Sequence, residues 1–284
     1  MMKNTVLVEE KGYKPGKFFG WVFLITWGSW LIAAYLSYNH PDPNFYSIFL
    51  IPGLFAPVLV TIAFIAMPKN RLIRKDFFQR LFDMKKINLA PLVKICLIMG
   101  SSVVAAILIS VLFGGSINQL QLSEDFKFSA GSIPVLMVMI IAPVLEEIGW
   151  RGYGVDALLS RFNLLTGSLM FGFLWSIWHL PLVFVKNYSM NLLLQENVWF
   201  AVNYFVSIIP LGIILNWLYV KSNRSTLALI IFHIFLNFMQ TSTQMTEWTS
   251  CIQTVVIISI AGLIVLTNKE LFFPSLKVYS EIKA

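Results

Sequence analysis

The sequence predicts an all-α, polytopic membrane protein: one bundle of about eight transmembrane helices with both termini in the cytoplasm. Composition, the spacing of apolar segments and the distribution of basic residues all favour this fold class. Hydrophobic residues make up 57% of the 284 residues and charged residues only 12%, whereas soluble domains carry about 25% charged residues. Because a soluble globule of this composition would lack polar side chains to cover its surface, we expect the bilayer to be its solvent.

Eight apolar segments follow one another along the chain, each of about the length that a membrane-crossing helix needs. They are residues 18–38, 46–67, 89–113, 132–153, 164–185, 198–220, 226–243 and 248–266. The first is too long for the apolar part of a cleavable signal peptide, so we expect it to be retained. No repeat or change in composition divides the chain, which predicts a single membrane-embedded domain over residues 1–284.

A polar, basic stretch at residues 68–87 separates the second apolar segment from the third. Its large apolar side chains recur at helical spacing: Phe77, Phe78, Leu81 and Phe82. This pattern is typical of an amphipathic helix that lies in the headgroup region of a membrane. We therefore expect residues 68–87 to form a cytoplasmic amphipathic segment.

Basic residues are distributed unevenly between the two sides of the predicted bundle. With the N-terminus inside, the outer loops hold only Lys127 and Lys186 as basic residues. Lysine and arginine concentrate in cytoplasmic loops of membrane proteins. The net charge of +7 is therefore expected to orient the chain in the membrane, with lipids and not nucleic acid as its partners.

The fourth apolar segment ends with ionisable residues, which are costly inside a bilayer and need a partner or a purpose there. Glu146 and Glu147 are adjacent, so their side chains diverge by about 100° on a helix. Arg151 lies four residues after Glu147, which favours an ion pair between them. This pair would leave Glu146 facing a cavity as a candidate general base. A helix-end salt bridge at the interface is the alternative interpretation of Glu147 and Arg151.

The fifth apolar segment carries His179, with Trp175 one turn before it and Pro181 two residues after it. Trp175 is expected to stack on the imidazole or to line a pocket. Since proline has no N–H to donate, Pro181 predicts a kink in this helix. Taken alone, a buried histidine is also compatible with a packed core residue.

The seventh apolar segment places His233 and Asn237 four residues apart, on one face of a helix. Both side chains can donate hydrogen bonds to the same oxygen, as in an oxyanion site. Polar residues that hold membrane helices together are the alternative. With Glu146 and His179, this pair predicts one cavity, reachable from the cytosol, that can activate water and stabilise a tetrahedral intermediate.

Three motifs occur in order on separate apolar segments: E-E-x-x-x-R-G, then aromatic-x-x-x-H-L-P, then H-x-x-x-N. This combination resembles the CPBP family, which comprises CAAX prenyl endopeptidases of the Ras-converting type and bacterial Abi proteins. The resemblance covers residues 130–240 or so, the expected catalytic core. The wording G-W-R-G-Y and W-x-x-W-H-L-P is similar to the prokaryotic branch, so the resemblance implies a multi-pass protein of a prokaryotic cell membrane.

The resemblance implies a role for each matching residue. Glu146 and His179 would activate the attacking water, and His233 and Asn237 would stabilise the oxyanion. The supporting residues would be Glu147, Arg151 and Trp175. Trp175 stands where the family often has phenylalanine, which conserves the aromatic character of the position.

The cofactor requirement has two interpretations within this family. One is a metalloprotease, and here zinc would be bound by Glu146, His179 and His233, a chemically allowed set. The other is a glutamate-dependent endopeptidase without metal. Because no H-E-x-x-H pair is present and Asn237 is a poor zinc ligand but a good oxyanion donor, we favour the interpretation without a cofactor.

The substrate implied by the resemblance is a lipidated or membrane-anchored peptide or protein, cleaved within the membrane. A non-catalytic bacteriocin self-immunity protein or membrane scaffold of the same family is the alternative. A third interpretation is a small transporter with a proton relay of glutamate and histidine. The absence of internal sequence symmetry disfavours a transporter.

Overall fold

The computed structural model describes residues 12–40, 42–123 and 135–273. Regular secondary structure within these ranges is helical, which confirms the all-α fold class. Some residues that entered the sequence predictions lie outside the described ranges: Lys127, and the residues at which the fourth apolar segment and the expected catalytic core begin.

The α-helices of the described ranges are, in chain order, α1 (Pro15–Asn39), α2 (Pro43–Ser47), α3 (Leu50–Ala66), α4 (Arg71–Phe82), α5 (Leu89–Leu112), α6 (Val135–Gly149), α7 (Val155–Leu159), α8 (Leu164–Trp178), α9 (Ser189–Glu196), α10 (Val198–Lys221), α11 (Thr226–Thr241), α12 (Glu247–Thr267) and α13 (Lys269–Phe272). A π-helical turn, Trp150–Gly154, joins α6 to α7, and a 3-10 helix, Leu180–Phe184, follows α8.

Six helical segments in the described part of the chain are long and apolar enough to cross a membrane, judged by length and composition. They are Pro15–Asn39, Phe45–Ala66, Leu89–Leu112, Leu164–Phe184, Val198–Lys221 and Glu247–Thr267. α11 is apolar but only 16 residues long, and α6 starts at the edge of a described range. The protein is therefore a helical membrane bundle, while eight spans and cytoplasmic termini stay predictions.

The amphipathic helix predicted in residues 68–87 is present as α4, but its apolar side chains do not form one exposed stripe. Ile73 and Phe77 are 2% and 4% exposed and pack against the bundle, whereas Phe78 and Phe82 are 47% and 70% exposed. One face of α4 is therefore buried in the protein, while the position of residues 68–87 in the headgroup region on the cytoplasmic side stays a prediction.

The helices that carry the polar residues are connected through a few tight packing pairs. α1 packs on α3, α3 on α6, α6 on α11, and α10 on both α8 and α12. α8 and α10 approach backbone to backbone, where Gly172 faces Gly212. Small residues allow this close approach, which favours association of helices in a membrane.

Replacing Gly212 with valine is expected to lower the free energy of unfolding by about 1–3 kcal/mol, the usual cost of overpacking. A Cβ at this position would lie 2.7 Å from the Cα of Gly172, so the two helices would have to separate. Gly262→Val in α12 is the matched control, since a Cβ there meets nothing within 4 Å. Reversible unfolding in mixed detergent measures both variants, and equal stabilities would contradict the close packing of α8 on α10.

Candidate active site

The last turn of α6 directs two adjacent carboxylates to different partners. Glu146 accepts a hydrogen bond from the indole Nε1 of Trp175 at 2.8 Å. Glu147 accepts one from Nη1 of Arg151 at 3.0 Å and lies 2.9 Å from Nδ1 of His233. Glu146 is 7% exposed and Glu147 fully buried. The predicted divergence of the two glutamates and the Glu147–Arg151 pair are thus confirmed.

The guanidinium of Arg151 is fixed by groups from three helices. Beyond Glu147, its Nη2 donates to Oδ1 of Asn216 in α10 at 3.4 Å. Its Cζ lies 4.5 Å from the ring centroid of Phe171 in α8, a distance at which a cation and an aromatic face attract each other. Glu147 and Arg151 are both fully buried among these helices, so the pair is not exposed on the protein surface.

His233 reaches from α11 to the same carboxylate that holds Arg151. Its Nδ1 lies 2.9 Å from Oε1 of Glu147. A carboxylate oxygen can only accept, so Nδ1 carries the hydrogen and the orientation of the ring is fixed. The other nitrogen, Nε2, has no hydrogen-bond partner among the described residues.

Trp175 is next to three other residues of the site: Glu146, His179 and His233. Its indole N–H donates to Glu146, its ring is edge-to-face with His233 at a centroid distance of 5.4 Å, and its ring centroid lies 6.1 Å from that of His179. The sequence predicted only that the Trp175 ring packs on an imidazole or lines a pocket. The hydrogen bond gives Trp175 a second role, because it fixes the carboxylate of Glu146.

His179 is held at the carboxyl end of α8. Its Nδ1 lies 2.9 Å from the carbonyl oxygen of Trp175. A carbonyl can only accept, so Nδ1 is the donor and Nε2 of the neutral ring keeps its lone pair. The ring packs edge-to-face on Tyr204 of α10 at 5.9 Å, a neighbour that the sequence did not predict because no motif marks this tyrosine.

Pro181 was predicted to kink a continuous α-helix, but in the structure it lies in a 3-10 helix that follows the α-helix. α8 ends at Trp178, His179 is its C-cap residue, and a 3-10 helix begins at Leu180. Proline lacks the N–H that an α-helix would need at this position and its ring would clash with the preceding turn. The helix therefore ends instead of bending, and His179 lies at the end of α8.

Asn237 is on the same side of α11 as His233, one turn later, as its spacing predicts. Its side chain is half-buried, and its backbone carbonyl accepts from Thr241 at 2.8 Å. The structure gives the Asn237 amide no hydrogen bond to another described residue. Glu146, Trp175 and the two histidines are thus in one cluster, and the Asn237 amide is hydrogen-bonded to none of these four residues.

A fully buried arginine, Arg80, bonds the helical turn that follows the two glutamates. It belongs to the basic stretch at residues 68–87, where it was predicted only as part of a cytoplasmic segment. Arg80 of α4 donates through Nη1 to the hydroxyl of Tyr219 at 2.6 Å and through Nη2 to the carbonyl of Gly152 at 3.2 Å. Its Nη1 also donates to the carbonyl of Arg151. Asp156 neutralises it, with Nη2 and Oδ2 3.1 Å apart.

The π-helical turn explains why a carbonyl is available to Arg80 there. The N–H of Val155 bonds to the carbonyl of Trp150, five residues before it, and not to that of Arg151. The carbonyl of Arg151 is thereby released from Val155 and accepts from Arg80 instead. A buried carbonyl without a donor would cost free energy, so Arg80 stabilises the turn that follows the two glutamates.

Asp76 and Arg224 complete a charge-balanced cluster around Arg80. Nη2 of Arg224 lies 2.9 Å from Oδ2 of Asp76 and also contacts Asp156. Burial would raise the pKa of Asp76, but the charges of Arg80 and Arg224 outweigh burial and hold that pKa below its ordinary value. The ion pairs of Asp76 therefore stabilise the fold above the ordinary carboxyl pKa and are lost as the pH falls through the lowered pKa.

Two comparisons identify the group of proteins to which this architecture belongs. The family Type II CAAX prenyl endopeptidase Rce1-like matches residues 128–239. CAAX prenyl protease 2 of Methanococcus maripaludis is 38% identical over 270 residues, which cover 95% of this chain and the whole of that relative. The chain belongs to the CAAX prenyl endopeptidase family. The resemblance inferred from the three sequence motifs is confirmed.

Membership in the CAAX prenyl endopeptidase family supports the assignment of this integral membrane protein as a membrane protease. The matched stretch contains every residue that the motifs selected, from Glu146 to Asn237. It does not contain Arg80, which precedes it in the sequence. Arg151, Gly152 and Asp156, which lie within the matched stretch, therefore bond to a residue of α4, which lies outside that stretch.

A metal ion could be held only by a suitable group of side chains. Among the described residues, no group of three or more His, Cys, Asp or Glu side chains is arranged to hold one. In the set considered for zinc, Glu146 accepts from Trp175 through one oxygen, and His233 contacts Glu147 through Nδ1.

Proposed function

We propose that this protein is an intramembrane endopeptidase that hydrolyses a peptide bond in a lipidated or membrane-tethered protein. The supporting observation is the buried cluster in which Glu146 and Glu147 have separate N–H partners and two imidazoles keep one nitrogen each without a partner. In an otherwise apolar bundle, such groups are costly unless they serve a reaction.

In the proposed mechanism, Glu146 and His179 activate water. The neutral ring of His179 has its lone pair on Nε2, because Nδ1 donates to a backbone carbonyl. Glu146 is held by the indole of Trp175. Water bound between these groups gives a proton to one of them as its oxygen attacks the carbonyl carbon of the substrate. That proton then goes to the leaving amine as the C–N bond breaks.

His233 and Asn237 are proposed to stabilise the oxyanion of the tetrahedral intermediate. In a protonated His233 ring, Nε2 also carries hydrogen and can donate, and the carboxylate of Glu147 balances the positive charge. The amide of Asn237, one helical turn away, supplies a second donor. Preorganised donors of this type typically contribute about 10²–10³ to the rate. Glu147 and Arg151 act as positioning residues for His233.

The test is hydrolysis by the purified full chain in proteoliposomes. Two peptides with one sequence are compared, one with a prenylated cysteine near its C-terminus and one without the lipid. We expect hydrolysis of the lipidated peptide and little of the other, since a membrane-embedded site meets tethered substrates. Equal hydrolysis of both peptides would overturn the proposed substrate class.

The alternative function is non-catalytic self-immunity or scaffolding, for which no hydrolysis is needed. The 38% identical relative bears the name of a protease, which does not favour this alternative. His179→Ala separates the two proposals. A protease should lose hydrolysis in this variant, whereas a protein that protects by binding should still protect. No hydrolysis of any lipidated peptide by the wild-type protein would contradict the proposed activity.

Prolonged chelation is expected to leave the rate of hydrolysis unchanged. The proposed mechanism uses Glu146 and His179 on water directly, without a metal ion. The measurement is the rate after incubation with a strong zinc chelator and after zinc is added back. Activity that disappears on chelation and returns with zinc would show that the metal-dependent mechanism is correct.

A further inference from the structure

A cavity of about 420 Å³ lies where α5 begins and α10 and α12 end. Lys94 and Lys221 line it, together with the indole of Trp217. No carboxylate side chain is among its lining residues in the described part of the chain. Neither lysine has an ion-pair partner there. The cavity is therefore a concentration of positive charge that the protein itself does not neutralise.

The first turn of α5 contributes further positive potential to this cavity. α5 is 24 residues long, and its N-cap residue Asn88 makes no side-chain hydrogen bond to the first N–H groups. The Asn88 amide instead donates to the carbonyl of Lys221 at 3.2 Å. The uncapped N–H groups and the helix dipole favour an anion at this point.

Trp217 lines the cavity with a side chain that is 7% exposed. Its indole Nε1 is itself buried, so the ring contributes apolar surface and the two lysines contribute the charge. An anionic oxygen in the cavity would neutralise Lys94 and Lys221.

Exposed leucines continue from the cavity along the two helices. Leu97 lies three residues after Lys94 on the same face of α5 and is 67% exposed. Leu263 lies four residues before Thr267, which lines the cavity, and is 61% exposed. A free phosphate would use only the polar end of this surface. A lipid would use the polar end with its headgroup and the leucines with its acyl chains.

We propose that this cavity binds the headgroup of an anionic phospholipid, with the phosphate at Lys94, Lys221 and the start of α5. The acyl chains lie along Leu97 and Leu263. Basic pockets between transmembrane helices on the cytoplasmic side recognise lipid headgroups of this type, and α5 begins directly after the predicted cytoplasmic segment. The proposal does not depend on the proposed protease function.

The test is native mass spectrometry of the full chain, delipidated in detergent and titrated with phosphatidylglycerol or phosphatidylcholine. The wild-type protein should prefer phosphatidylglycerol. Lys94→Gln combined with Lys221→Gln should weaken phosphatidylglycerol binding by about tenfold or more, from the usual contribution of a lysine near an anionic surface. Lys17→Gln combined with Lys75→Gln makes the same charge change elsewhere and should change binding less than twofold.

Unchanged phosphatidylglycerol binding in the double lysine variant would overturn the proposal. Equal weakening by the control lysine pair would also overturn it. Displacement of phosphatidylglycerol by inorganic phosphate at equal concentration would identify a free-anion site and overturn the assignment to lipid.

Discussion

Replacing Glu146 with glutamine is expected to lower the rate of peptide-bond hydrolysis by about 10²–10⁴-fold, the usual contribution of a general base. Glutamine has the volume of glutamate, and its carbonyl oxygen can still accept the indole N–H of Trp175, which is 2.8 Å from the carboxylate. The amide cannot take a proton from water. Local packing should therefore be conserved while the chemical step slows.

The measurement is kcat and KM on the lipidated peptide in proteoliposomes. Because Glu146 is proposed to act on water and not on the substrate, kcat should fall while KM changes little. Glu196→Gln is the matched control, since Glu196 is an exposed carboxylate in α9. Activity close to that of the wild type in Glu146→Gln, or an equal loss in Glu196→Gln, would contradict the assigned role.

Replacing Arg80 with methionine is expected to lower the free energy of unfolding by about 3–5 kcal/mol, the usual cost of breaking a buried ion pair. Methionine keeps most of the apolar stem but removes the guanidinium. Asp156 would then lose one of its two cationic partners, and the carbonyl of Gly152 would lose its donor. This loss would loosen the turn after Glu147 as well, so activity should fall with stability.

Arg74→Met is the matched control on the same helix. Arg74 makes one exposed contact, to the carbonyl of Ala66 at 3.4 Å, and its replacement should change stability by no more than about 0.5 kcal/mol. Reversible unfolding in mixed detergent gives both values. Combining Arg80→Met with Asp156→Asn should cost less than the sum of the single changes, because the pair is removed together. Additive costs would show that the two residues are not coupled.

The sequence predicted the membrane-length helices because their apolar runs are long. It also predicted the Glu147–Arg151 pair, since both residues are on one helix and their spacing decides whether they meet. The contact of Glu147 with His233 joins two helices. Spacing along one helix contains no information on such a contact, so it was not predicted.

The spacing of residues in α4 indicates that Arg80 is buried, although Arg80 also belongs to a stretch of high positive charge. Ile73, Phe77 and Arg80 are four and three residues apart, so they share a helical face, and this face is the buried one. An arginine in line with two large apolar residues indicates burial with a partner. The surrounding basic residues instead predicted a cytoplasmic segment, because an excess of such residues is typical of cytoplasmic loops.

The π-helical turn Trp150–Gly154 has a consequence for insertions and deletions in relatives of this chain. A π turn accommodates one more residue than an α-helical turn. Because the wider turn absorbs this residue, its deletion would restore a regular helix and leave Asp156 facing about the same direction relative to Glu147. The carbonyl of Arg151 would then be bonded within the helix and would no longer accept from Arg80. A relative that lacks one residue in this turn is therefore expected to lack a buried arginine at the position of Arg80.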